Sequence, residues 1–423
     1  MRENRVSVAR SASGQSLDVS IVMPCLNEVQ SLEHCIGGAM QALETLRERH
    51  GLTGEVLIAD NGSTDGSQAL ALRLGARVAP IAERGYGAAL RGGFTAARGR
   101  YLVMGDADGS YDFRESVPMI EKLMGGAALC MGSRFKGEIR PGAMPWKNRY
   151  IGNPILTGIL NLLFRTGASD AHCGLRALTR DCFERLNLSG SGMEFASEMV
   201  IKAALKDEVI AEVPASLSPD LRNRPPHLRP WRDGWRHLRY LFMLSPTWLF
   251  GAPALLAMAF GAAVLASASW NAAVGHQPGF VFGNFWVILA AAALGAGHLA
   301  ALLALATHLF GVRAGYRNIN PLVARFSRFI TLETLVVSGA ASALAGVVVL
   351  IAVALAWFAR SFGPTDSVLS AVLGVLLVTL GVQNVMGGFL LAIVGGNEAR
   401  FLESPPQPAQ APPLERTRLE LPA

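Results

Sequence analysis

The chain has 423 residues, of which 51% are hydrophobic and 17% are charged, and its formal net charge is +6. A mean hydropathy of +0.33 excludes an ordinary soluble domain, and the charge excludes a protein that is wholly embedded in a membrane. The composition therefore predicts two regions in different environments. Charged residues are dense up to about residue 245, and after that point they are confined to loops and the borders of apolar stretches.

Four apolar stretches follow, at 248–268, 284–310, 332–358 and 368–394. Each is long enough for a transmembrane helix, which needs about 20 predominantly apolar residues. Buried helices of a soluble protein are the alternative, but four such stretches separated by short loops favour a membrane domain. We therefore predict an all-α membrane domain of four transmembrane helices over residues 246–396.

The loops between these stretches differ in their arginine content. The loop at 311–329 contains four arginines. The loop that begins at Ser267 has no Lys or Arg, and the loop at 359–367 has one arginine. Because Lys and Arg are enriched in cytoplasmic loops, we expect both termini and the charged first region to lie in the cytoplasm, in a multi-pass protein of the cell inner membrane.

A basic and aromatic segment at 221–245 leads into the first apolar stretch. Its arginines and tryptophans are Arg222, Arg224, Arg229, Arg232, Arg236 and Arg239 with Trp231 and Trp235. Such a segment predicts an interfacial location, where cations meet lipid phosphates and indoles lie among the headgroups. Nucleic acid binding is the alternative, and the adjacent transmembrane stretch disfavours it.

Both ends of the chain lack the patterns of folded elements. Residues 1–17 are polar and basic, without the apolar core of a secretory signal peptide, and we expect a flexible N terminus. Residues 397–423 are rich in proline and predict a disordered tail that implies no partner.

Strands and helices alternate in the first region. The run "VSIVMP" that begins at Val19 predicts a strand, the spacing of apolar residues then predicts a helix through Leu46, and "GEVLIAD" and "YLVM" predict two more strands. This alternation indicates an α/β domain with a mainly parallel sheet over residues 18–220, in which ligands bind beyond the carboxyl ends of the strands. The turns at these ends hold Pro24, Asn27, Glu28, Asp60, Asn61, Ser63, Asp65, Asp106 and Asp108.

The stretch "GDADGSYDF" places two carboxylates directly after the strand "YLVM". Asp106 and Asp108 are separated by one residue, so both side chains can reach one ligand. A divalent cation would offset the repulsion between them, and Mg²⁺ binds through one or two carboxylates together with substrate phosphates. A solvated turn is the alternative, because Asp, Gly and Ser also form turns. For Asp112, a solvated turn or a helix cap is the favoured interpretation.

The glycine-rich stretch "RGYGAALRGG" at 84–93 resembles a dinucleotide-binding loop only in part. Leu90 occupies the position of the third glycine, and no strong strand directly precedes the stretch, which excludes that interpretation. Gly85 and Gly87 indicate either a close approach of two backbone segments or a tight turn.

Five motifs occur in order within residues 18–245. They are "VSIVMPCLNE", "IADNGSTDGS", "GDADGSYDF", "MGSRF" and "SDAHCGLRALTRD". Taken together they resemble the motifs of family 2 glycosyltransferases of the dolichol-phosphate mannose or glucose synthase type. The resemblance implies a nucleotide-sugar-binding domain with a GT-A-like fold.

The resemblance also implies roles for individual residues. Pro24, Asn27, Glu28, Asp60, Asn61 and Asp106 would line the nucleotide pocket, Asp106 and Asp108 would bind Mg²⁺ or Mn²⁺, and Arg134 would meet phosphate. A planar guanidinium suits that last role. Ser110 stands where mannose-transferring relatives often carry a glutamine, so the remaining metal ligand is open.

The implied activity is the transfer of one hexose from a nucleotide sugar to a polyprenyl or dolichyl phosphate at the cytoplasmic face of the membrane, with inversion and with a divalent metal. UDP-glucose is the preferred donor and GDP-mannose the second. The QxxRW element of polymerising relatives is absent from the sequence, which favours transfer of a single sugar. Expected partners are the donor, the acceptor and the bilayer, without nucleic acid, and a homo-oligomer is compatible with this activity.

A phosphate acceptor supplies its own nucleophile, because the second pKa of a phosphate monoester is about 6. A strong general base is therefore unnecessary, and the protein would position the substrates and stabilise the departing diphosphate. The catalytic candidates are Asp108, Arg134, Asp170 and Glu198, of which Asp170 lies in a matched motif. Glu194 and Glu198 are four residues apart and would share a helix face, where a surface charge or a cap is the alternative.

Four further cations are candidates for receiving the lipid phosphate, with solvated surface charges as the alternative. They are Arg140, Lys147, Arg149 and Arg176.

The second hypothesis for the whole chain is a non-catalytic membrane subunit that keeps the fold as a lipid-binding or scaffold module. The pair Asp106 and Asp108 favours an enzyme, because a scaffold has no need of paired carboxylates.

Overall fold

The structure is a computed structural model that describes residues 17–222, 230–274, 283–326, 329–363, 367–397 and residue 399. Most of the expected flexible N terminus and nearly all of the expected disordered tail lie outside these residues. The chain forms two compact units. The first is Met1–Ser245 with Gly315–Asn318, and the second is Pro246–Ala314 with Ile319–Ala423.

Among the described residues, the first unit forms one seven-stranded sheet. Its strands are β1 (Val19–Cys25), β2 (Gly54–Asp60), β3 (Arg77–Pro80), β4 (Tyr101–Met104), β5 (Leu129–Ser133), β6 (Arg176–Thr179) and β7 (Ile210–Pro214). They lie in the order β3-β2-β1-β4-β6-β5-β7. Strand β6 is antiparallel to β4 and β5, and the other neighbouring strands are parallel. The predicted α/β fold with a mainly parallel sheet is confirmed.

Helices accompany the sheet throughout the described part of this unit. They are α1 (Leu32–His50), α2 (Ser67–Arg73), α3 (Tyr86–Ala96), α4 (Ser116–Met124), α5 (Asn153–Phe164), α6 (Arg180–Leu186), α7 (Glu194–Leu205) and α8 (Pro230–Met243). The predicted helix after β1 extends past Leu46 to His50, and the left-handed Gly51 (φ +67°) ends it.

Strand β1 lies inside the sheet and is buried on both faces. Val19, Ile21 and Met23 pack with Leu32 of α1 in one core. Val22 packs on the opposite face, in a core that includes side chains of α3 and α7. Two buried faces explain why this strand is a continuous apolar run without alternation. Each large apolar side chain buried here contributes about 1.5–3 kcal/mol to stability.

The strand register gathers the candidate residues at one edge of the sheet. Cys25 at the end of β1 lies opposite Asp60 at the end of β2, and Val22 lies opposite Met104 at the end of β4. The antiparallel β6 begins at the same edge, because Arg176 pairs with Met104. Residues that follow β1, β2, β4, β5 and β7, and residues that precede β6, therefore lie along one edge.

The second unit is helical in its described residues. Its helices are α9 (Ala252–Ala273), α10 (Asn284–Arg313), α11 (Pro321–Phe326), α12 (Leu332–Ala359) and α13 (Leu369–Val394). Within the described ranges, four segments are long and apolar enough to cross a membrane: Thr247–Ala273, Asn284–Arg313, Leu332–Ala359 and Leu369–Val394. The four predicted transmembrane helices are confirmed in number, length and composition.

Helices α12 and α13 approach closely through facing glycines. A Cβ atom on Gly339 would lie 2.6 Å from the carbonyl oxygen of Gly381, and one on Gly381 would lie 2.5 Å from the oxygen of Gly339. Such contacts between small residues are typical of helix pairs in membranes. A polar contact joins α10 to α13, where His298 Nδ1 lies 2.8 Å from Gln383 Oε1.

The glycine-rich stretch at 84–93 meets the loop before α7. Gly85 has a φ of +136°, and a Cβ there would lie 2.1 Å from the carbonyl oxygen of Ser191. A Cβ on Gly87 would lie 2.4 Å from the oxygen of Gly190. Of the two expectations for these glycines, the close approach of two backbone segments is confirmed.

Replacing Gly87 by alanine should destabilise the protein. The added methyl group would meet a backbone oxygen that cannot rotate away, and such overpacking costs about 1–3 kcal/mol. Gly37→Ala is the matched control: this glycine lies in α1, and a Cβ there has nothing within 4 Å. We expect a lower midpoint of thermal unfolding in detergent for Gly87→Ala, and an unchanged or higher one for Gly37→Ala. Equal midpoints for the two variants would show that the contact is not close.

Candidate active site

Hydrogen bonds join the turn after β1 to the turn after β2. Asn27, whose φ is +60°, accepts at Oδ1 from the N–H of Thr64 (2.8 Å) and donates its own N–H to Ser63 Oγ (2.9 Å). Asparagine tolerates this left-handed conformation better than most residues. The N–H of Glu28 donates to Ser67 Oγ (3.0 Å). The two turns therefore form one wall at the sheet edge.

Asp60 orders the turn that follows it. Its side chain is almost fully buried and accepts from the N–H groups of Gly62 (3.1 Å) and Ser63 (3.2 Å) and from Gln68 Nε2 (2.6 Å). Pro24 lies in β1 beside this turn, paired with Ala59.

Asn61 orders the loop before α3. Its Nδ2 donates to the carbonyl oxygens of Ile81 (3.0 Å) and Glu83 (2.7 Å), and its Oδ1 accepts from the N–H of Gly85 (2.8 Å). Both amide atoms are thus used to hold backbone, and a ligand in this region would contact a preformed loop.

Asp106 and Asp108 follow β4, as predicted. Burial and the charge of Asp108 raise the pKa of Asp106 to about 7, and a hydrogen bond with Tyr86 opposes that rise. Asp108 accepts at Oδ1 from the N–H (2.9 Å) and the Oγ (2.6 Å) of Ser110. Ser110 therefore orients Asp108.

Arg222 supplies positive charge to these carboxylates. Its Nη1 lies 3.1 Å from Glu28 Oε1, its Nη2 lies 3.1 Å from Asp108 Oδ2, and the guanidinium also pairs with Asp220. The sequence assigns Arg222 to the lipid interface, and for this residue that expectation is wrong. The chain after β7 runs back over the turn that contains Asp108 and carries Arg222 with it. The arginines at 224 and 229 lie outside the described residues.

The paired carboxylates fit a divalent cation. In the part of the chain that the structure describes, no group of three or more His, Cys, Asp or Glu side chains converges as a metal site. Two carboxylates completed by substrate phosphates are, however, the arrangement that Mg²⁺ commonly uses. The raised pKa of Asp106 is consistent with this use, because a nearby cation stabilises the ionised carboxylate.

A second charged centre lies at the end of β5, where Arg134 and Asp170 form a buried pair. Arg134 Nε and Nη2 donate to the two carboxylate oxygens at 2.6 and 2.8 Å, and the Arg134 N–H donates at 3.1 Å. Burial would raise the pKa of Asp170, but the hydrogen bonds and charge of Arg134 hold that pKa below its usual value. Asp170 therefore stays ionised and fixes the direction of the guanidinium.

Tyr111 connects the two charged centres. Its hydroxyl accepts from the N–H of Gly174 (2.9 Å), and a Cβ on Gly174 would lie 2.8 Å from Asp106 Oδ2 and 3.0 Å from the Tyr111 ring. The loop before β6 can approach Asp106 only because residue 174 is glycine. Tyr111 and Tyr86 were not singled out from the sequence, although both lie in stretches examined for other residues.

Glu198 lies apart from the paired carboxylates and holds the loop before α7. It accepts from the N–H groups of Ser189 (3.0 Å) and Gly190 (2.7 Å) and pairs with the buried Lys202 (2.7 Å). Burial acts to raise the pKa of Glu198, but Lys202 and these N–H groups outweigh it, so the pKa lies below its usual value. This surrounding favours a positioning role for Glu198. Glu194 accepts from the N–H of Gly192 (2.9 Å), as a residue at a helix start does.

Arg176 is not available to a lipid phosphate, and the expectation that it would meet one is wrong. It is fully buried, and its guanidinium donates to the carbonyl oxygens of Cys173 (2.9 Å), Ala171 (2.8 Å) and Ala196. These bonds shape the loop that carries Asp170. Asp112 accepts from the N–H of Arg114 (3.0 Å) and caps a short helical turn, as expected.

His172 is a further half-buried polar residue that the sequence did not single out for function. Burial, His237 and Arg134 lower the pKa of His172 to about 3, so its imidazole is neutral. The rings of His172 and His237 meet edge to face at 5.5 Å, and His237 Nδ1 lies 2.9 Å from Ser197 Oγ. Helix α8 thus packs directly against the loop of Asp170.

Two family models match this chain. Residues 20–186 match the model described as glycosyl transferase family 2. Residues 305–395 match the model described as the glycosyltransferase family 2 C-terminal transmembrane region.

Curated relatives agree with these matches. The low-salt glycan biosynthesis hexosyltransferase Agl6 of Haloferax volcanii is 35% identical over 384 residues, which is 89% of each chain. The dolichyl-phosphate beta-glucosyltransferase of Saccharomyces cerevisiae is 26% identical over 229 residues, 48% of this chain and 67% of that one.

A solved structure also resembles part of the chain. Glucosyl-3-phosphoglycerate synthase from Mycobacterium tuberculosis, in complex with Mn²⁺, uridine diphosphate and phosphoglyceric acid, matches with a TM-score of 0.40 and 22% identity, over 54% of this chain and 77% of that one. A TM-score below 0.5 is too low to support a conclusion about this chain.

Replacing Asp170 by asparagine should strongly destabilise the protein. Arg134 would remain buried without its counter-ion, and breaking a buried pair in this way costs about 3–5 kcal/mol. Asp112→Asn is the matched control, because Asp112 pairs with the exposed Arg114 and such a pair contributes about 1 kcal/mol or less. Chemical unfolding at pH 7 measures the difference.

The stability difference between wild type and Asp170→Asn should depend on pH in one direction. The pKa of Asp170 in the folded protein lies below its usual value of about 3.9. The contribution of ionised Asp170 to the free energy of unfolding is therefore fully present above about pH 3.9, and it is lost as the pH falls through the folded pKa. Similar unfolding curves for Asp170→Asn and Asp112→Asn at pH 7 would contradict the pairing.

Proposed function

Because this chain belongs to glycosyltransferase family 2 and is a membrane-bound enzyme of that family, we propose that it transfers a single hexose from a nucleotide sugar to a polyprenyl phosphate. UDP-glucose is the preferred donor and GDP-mannose the second. The names of the hexosyltransferase relatives support an enzyme over a non-catalytic scaffold that keeps the same fold. The observation that carries the proposal is the pair Asp106 and Asp108 at the sheet edge, with Tyr111 near both Asp106 and Arg134.

The donor and the acceptor are inferred from chemistry and from relatives. One relative is named a hexosyltransferase of glycan biosynthesis and another a dolichyl-phosphate glucosyltransferase, and these names support a hexose donor and a lipid phosphate acceptor here. Pro24, Asn27, Glu28, Asp60 and Asn61 would line the nucleotide pocket. The hydrogen bonds of Asn27, Asp60 and Asn61 support this role, because they hold the turns at the sheet edge in place before a ligand arrives.

Asp106 and Asp108 would hold Mg²⁺ or Mn²⁺. When bound, the cation neutralises charge on the diphosphate of the donor. Asp108 is kept in orientation by Ser110, and Tyr86 keeps Asp106 hydrogen-bonded. These contacts preorganise the two carboxylates.

The reaction would be a single displacement. An oxygen of the acceptor phosphate attacks the anomeric carbon, the bond from that carbon to the donor diphosphate breaks, and the nucleoside diphosphate leaves with the bonding electrons. A single displacement inverts the configuration at the anomeric carbon. Arg134, whose Nε and Nη2 are held by Asp170, would meet phosphate with its remaining N–H groups. No residue needs to act as a strong base, since the acceptor phosphate is largely ionised at pH 7.

A lipid acceptor requires a surface that meets the membrane, and α5 with the turn before it provides a candidate. Trp146 and Tyr150 are 62% and 68% exposed. Lys147 lies over the Trp146 ring (5.8 Å) and Arg149 over the Tyr150 ring (5.5 Å). Aromatic rings with adjacent cations suit the headgroup region. With the arginines of the 311–329 loop, this surface supports a catalytic unit at the cytoplasmic face of the inner membrane.

The paired carboxylates give a direct test by mutation. Asp108→Asn should reduce formation of glycolipid from UDP-glucose and undecaprenyl phosphate by about 100-fold or more, because charge stabilisation at the leaving group is lost. Asp112→Asn, in the same stretch but used to cap a turn, should retain activity. The assay uses the full chain in detergent with Mg²⁺ or Mn²⁺. Unchanged turnover in Asp108→Asn would remove the metal role.

The donor and the metal can be tested in the same assay. We expect glycolipid from UDP-glucose at a higher rate than from GDP-mannose, loss of product when EDTA is added, and recovery when Mg²⁺ or Mn²⁺ is restored. A faster rate with GDP-mannose would correct the donor. Product formation in the presence of EDTA would contradict the metal requirement, and no product with any nucleotide sugar would contradict the proposed activity.

A further inference from the structure

Arg222 lies among three carboxylates, one of which, Asp108, would bind the metal. It contacts Glu28 and Asp108 at 3.1 Å each and pairs with Asp220, and its side chain is only 14% exposed. The charges of Asp108, Glu28 and Asp220, together with the Asp220 hydrogen bond, raise the pKa of Arg222 despite its burial, so the guanidinium is always charged.

The backbone that carries Arg222 is fixed to the turn of Asp108. The N–H of Leu221 donates to the carbonyl oxygen of Asp108 (3.0 Å), and the N–H of Ser218 donates to the carbonyl oxygen of Ser110 (2.9 Å). The guanidinium therefore reaches the carboxylates from a backbone that is already bound beside them. A change in its contacts requires only rotation of the side chain.

Both carboxylate oxygens of Asp108 are engaged. Oδ1 accepts from Ser110 and Oδ2 pairs with Arg222. A divalent cation that binds Asp108 would stand next to the guanidinium, and the two positive charges would repel each other. Binding of the cation at Asp108 and the present position of Arg222 are therefore in competition.

We propose that Arg222 is a positioning residue that couples binding of the metal to binding of the donor. Without donor, its guanidinium neutralises the carboxylates and opposes binding of a metal ion alone. When the metal arrives with a nucleoside diphosphate, the guanidinium leaves Asp108 and binds the diphosphate, whose oxygens match its paired N–H donors. The proposal rests on the proposed function, since it requires a nucleotide-sugar donor and a divalent metal at Asp106 and Asp108.

The proposal makes a statement about affinities. A metal ion alone must displace Arg222 from Asp108 and gives the guanidinium no new partner. When a diphosphate accompanies the metal ion, the diphosphate becomes the new partner of the guanidinium. Each ligand should therefore increase the affinity of the other, and the two increases are equal by linkage. Removing the guanidinium should strengthen binding of the metal alone and weaken this coupling.

The test measures Mn²⁺ binding to the full chain in detergent, with and without UDP. The electron paramagnetic resonance signal of free Mn²⁺ reports how much of the ion stays unbound. In Arg222→Gln, the affinity for Mn²⁺ alone should rise by about tenfold, and the factor by which UDP increases that affinity should fall by about tenfold or more. Arg114→Gln is the matched control, because Arg114 pairs with Asp112 outside the site, and it should leave both quantities unchanged.

Thermal unfolding gives a second readout that does not require activity. Without Arg222 the carboxylates repel each other, so Arg222→Gln should unfold at a lower temperature than wild type, and Mn²⁺ alone should raise its midpoint by more than it raises that of wild type. Arg222→Lys keeps one charge but cannot reach several carboxylates at once, so it should lie between the two in both measurements.

The outcomes separate this proposal from the proposed function. Wild-type protein that binds Mn²⁺ more tightly with UDP, together with an Arg222→Gln variant whose affinity for Mn²⁺ alone is unchanged or reduced, would overturn the role of Arg222 and leave the metal-assisted transferase intact. Wild-type protein that binds no Mn²⁺ with either UDP or GDP would overturn both.

Discussion

Carboxylates at one edge of a sheet repel each other unless positive charge stands beside them, and this requirement shapes the site. Glu28, Asp106 and Asp108 reach that edge because β1 and β4 are neighbours in register. Arg222 meets the requirement in this structure, at 3.1 Å from Glu28 and from Asp108. In the reaction that we propose, a divalent cation with its diphosphate would meet it. The segment 218–222 after β7 is held against the turn of Asp108 by backbone hydrogen bonds.

A second charged centre, formed by Arg134 and Asp170, is built differently. Arg134 is paired with Asp170 inside the protein, so its charge is compensated before any ligand binds, and its position is fixed by three hydrogen bonds. Tyr111 lies near both Asp106 and Arg134, and Gly174 lies against Asp106. Glu198 and Arg176 support neighbouring loops: Arg176 donates to backbone carbonyl oxygens, and Glu198 accepts from backbone N–H groups and pairs with Lys202. Residues that resemble catalytic groups by type can therefore be structural by contact.

Parts of this fold could be predicted from local patterns alone. The four membrane helices and the strands β1, β2 and β4 each contain a long or continuous apolar run. Such a run predicts a membrane helix or a buried strand whatever the rest of the fold is. Strand β3 has four residues, which are too few to show a period, and β6 lies in a motif recognised for its polar residues. The burial of Arg176 could not be predicted, because residue type alone does not show whether an arginine binds a phosphate or donates to three backbone carbonyl oxygens.

By itself, the sequence determined that the chain has a charged region and a membrane region, how many spans it has, and that Asp106 and Asp108 form a pair. These properties depend on residue type and on spacings of a few residues, and both can be read directly from the sequence. Only the tertiary structure decided which cation faces the pair. Arg222 is separated from Asp108 by 114 residues, and its position results from the parallel pairing of β7 with β5 and from the backbone bonds that lay the following segment over the Asp108 turn. No local pattern encodes a contact of that range, so a residue that belongs by composition to the lipid interface lies instead in the candidate active site.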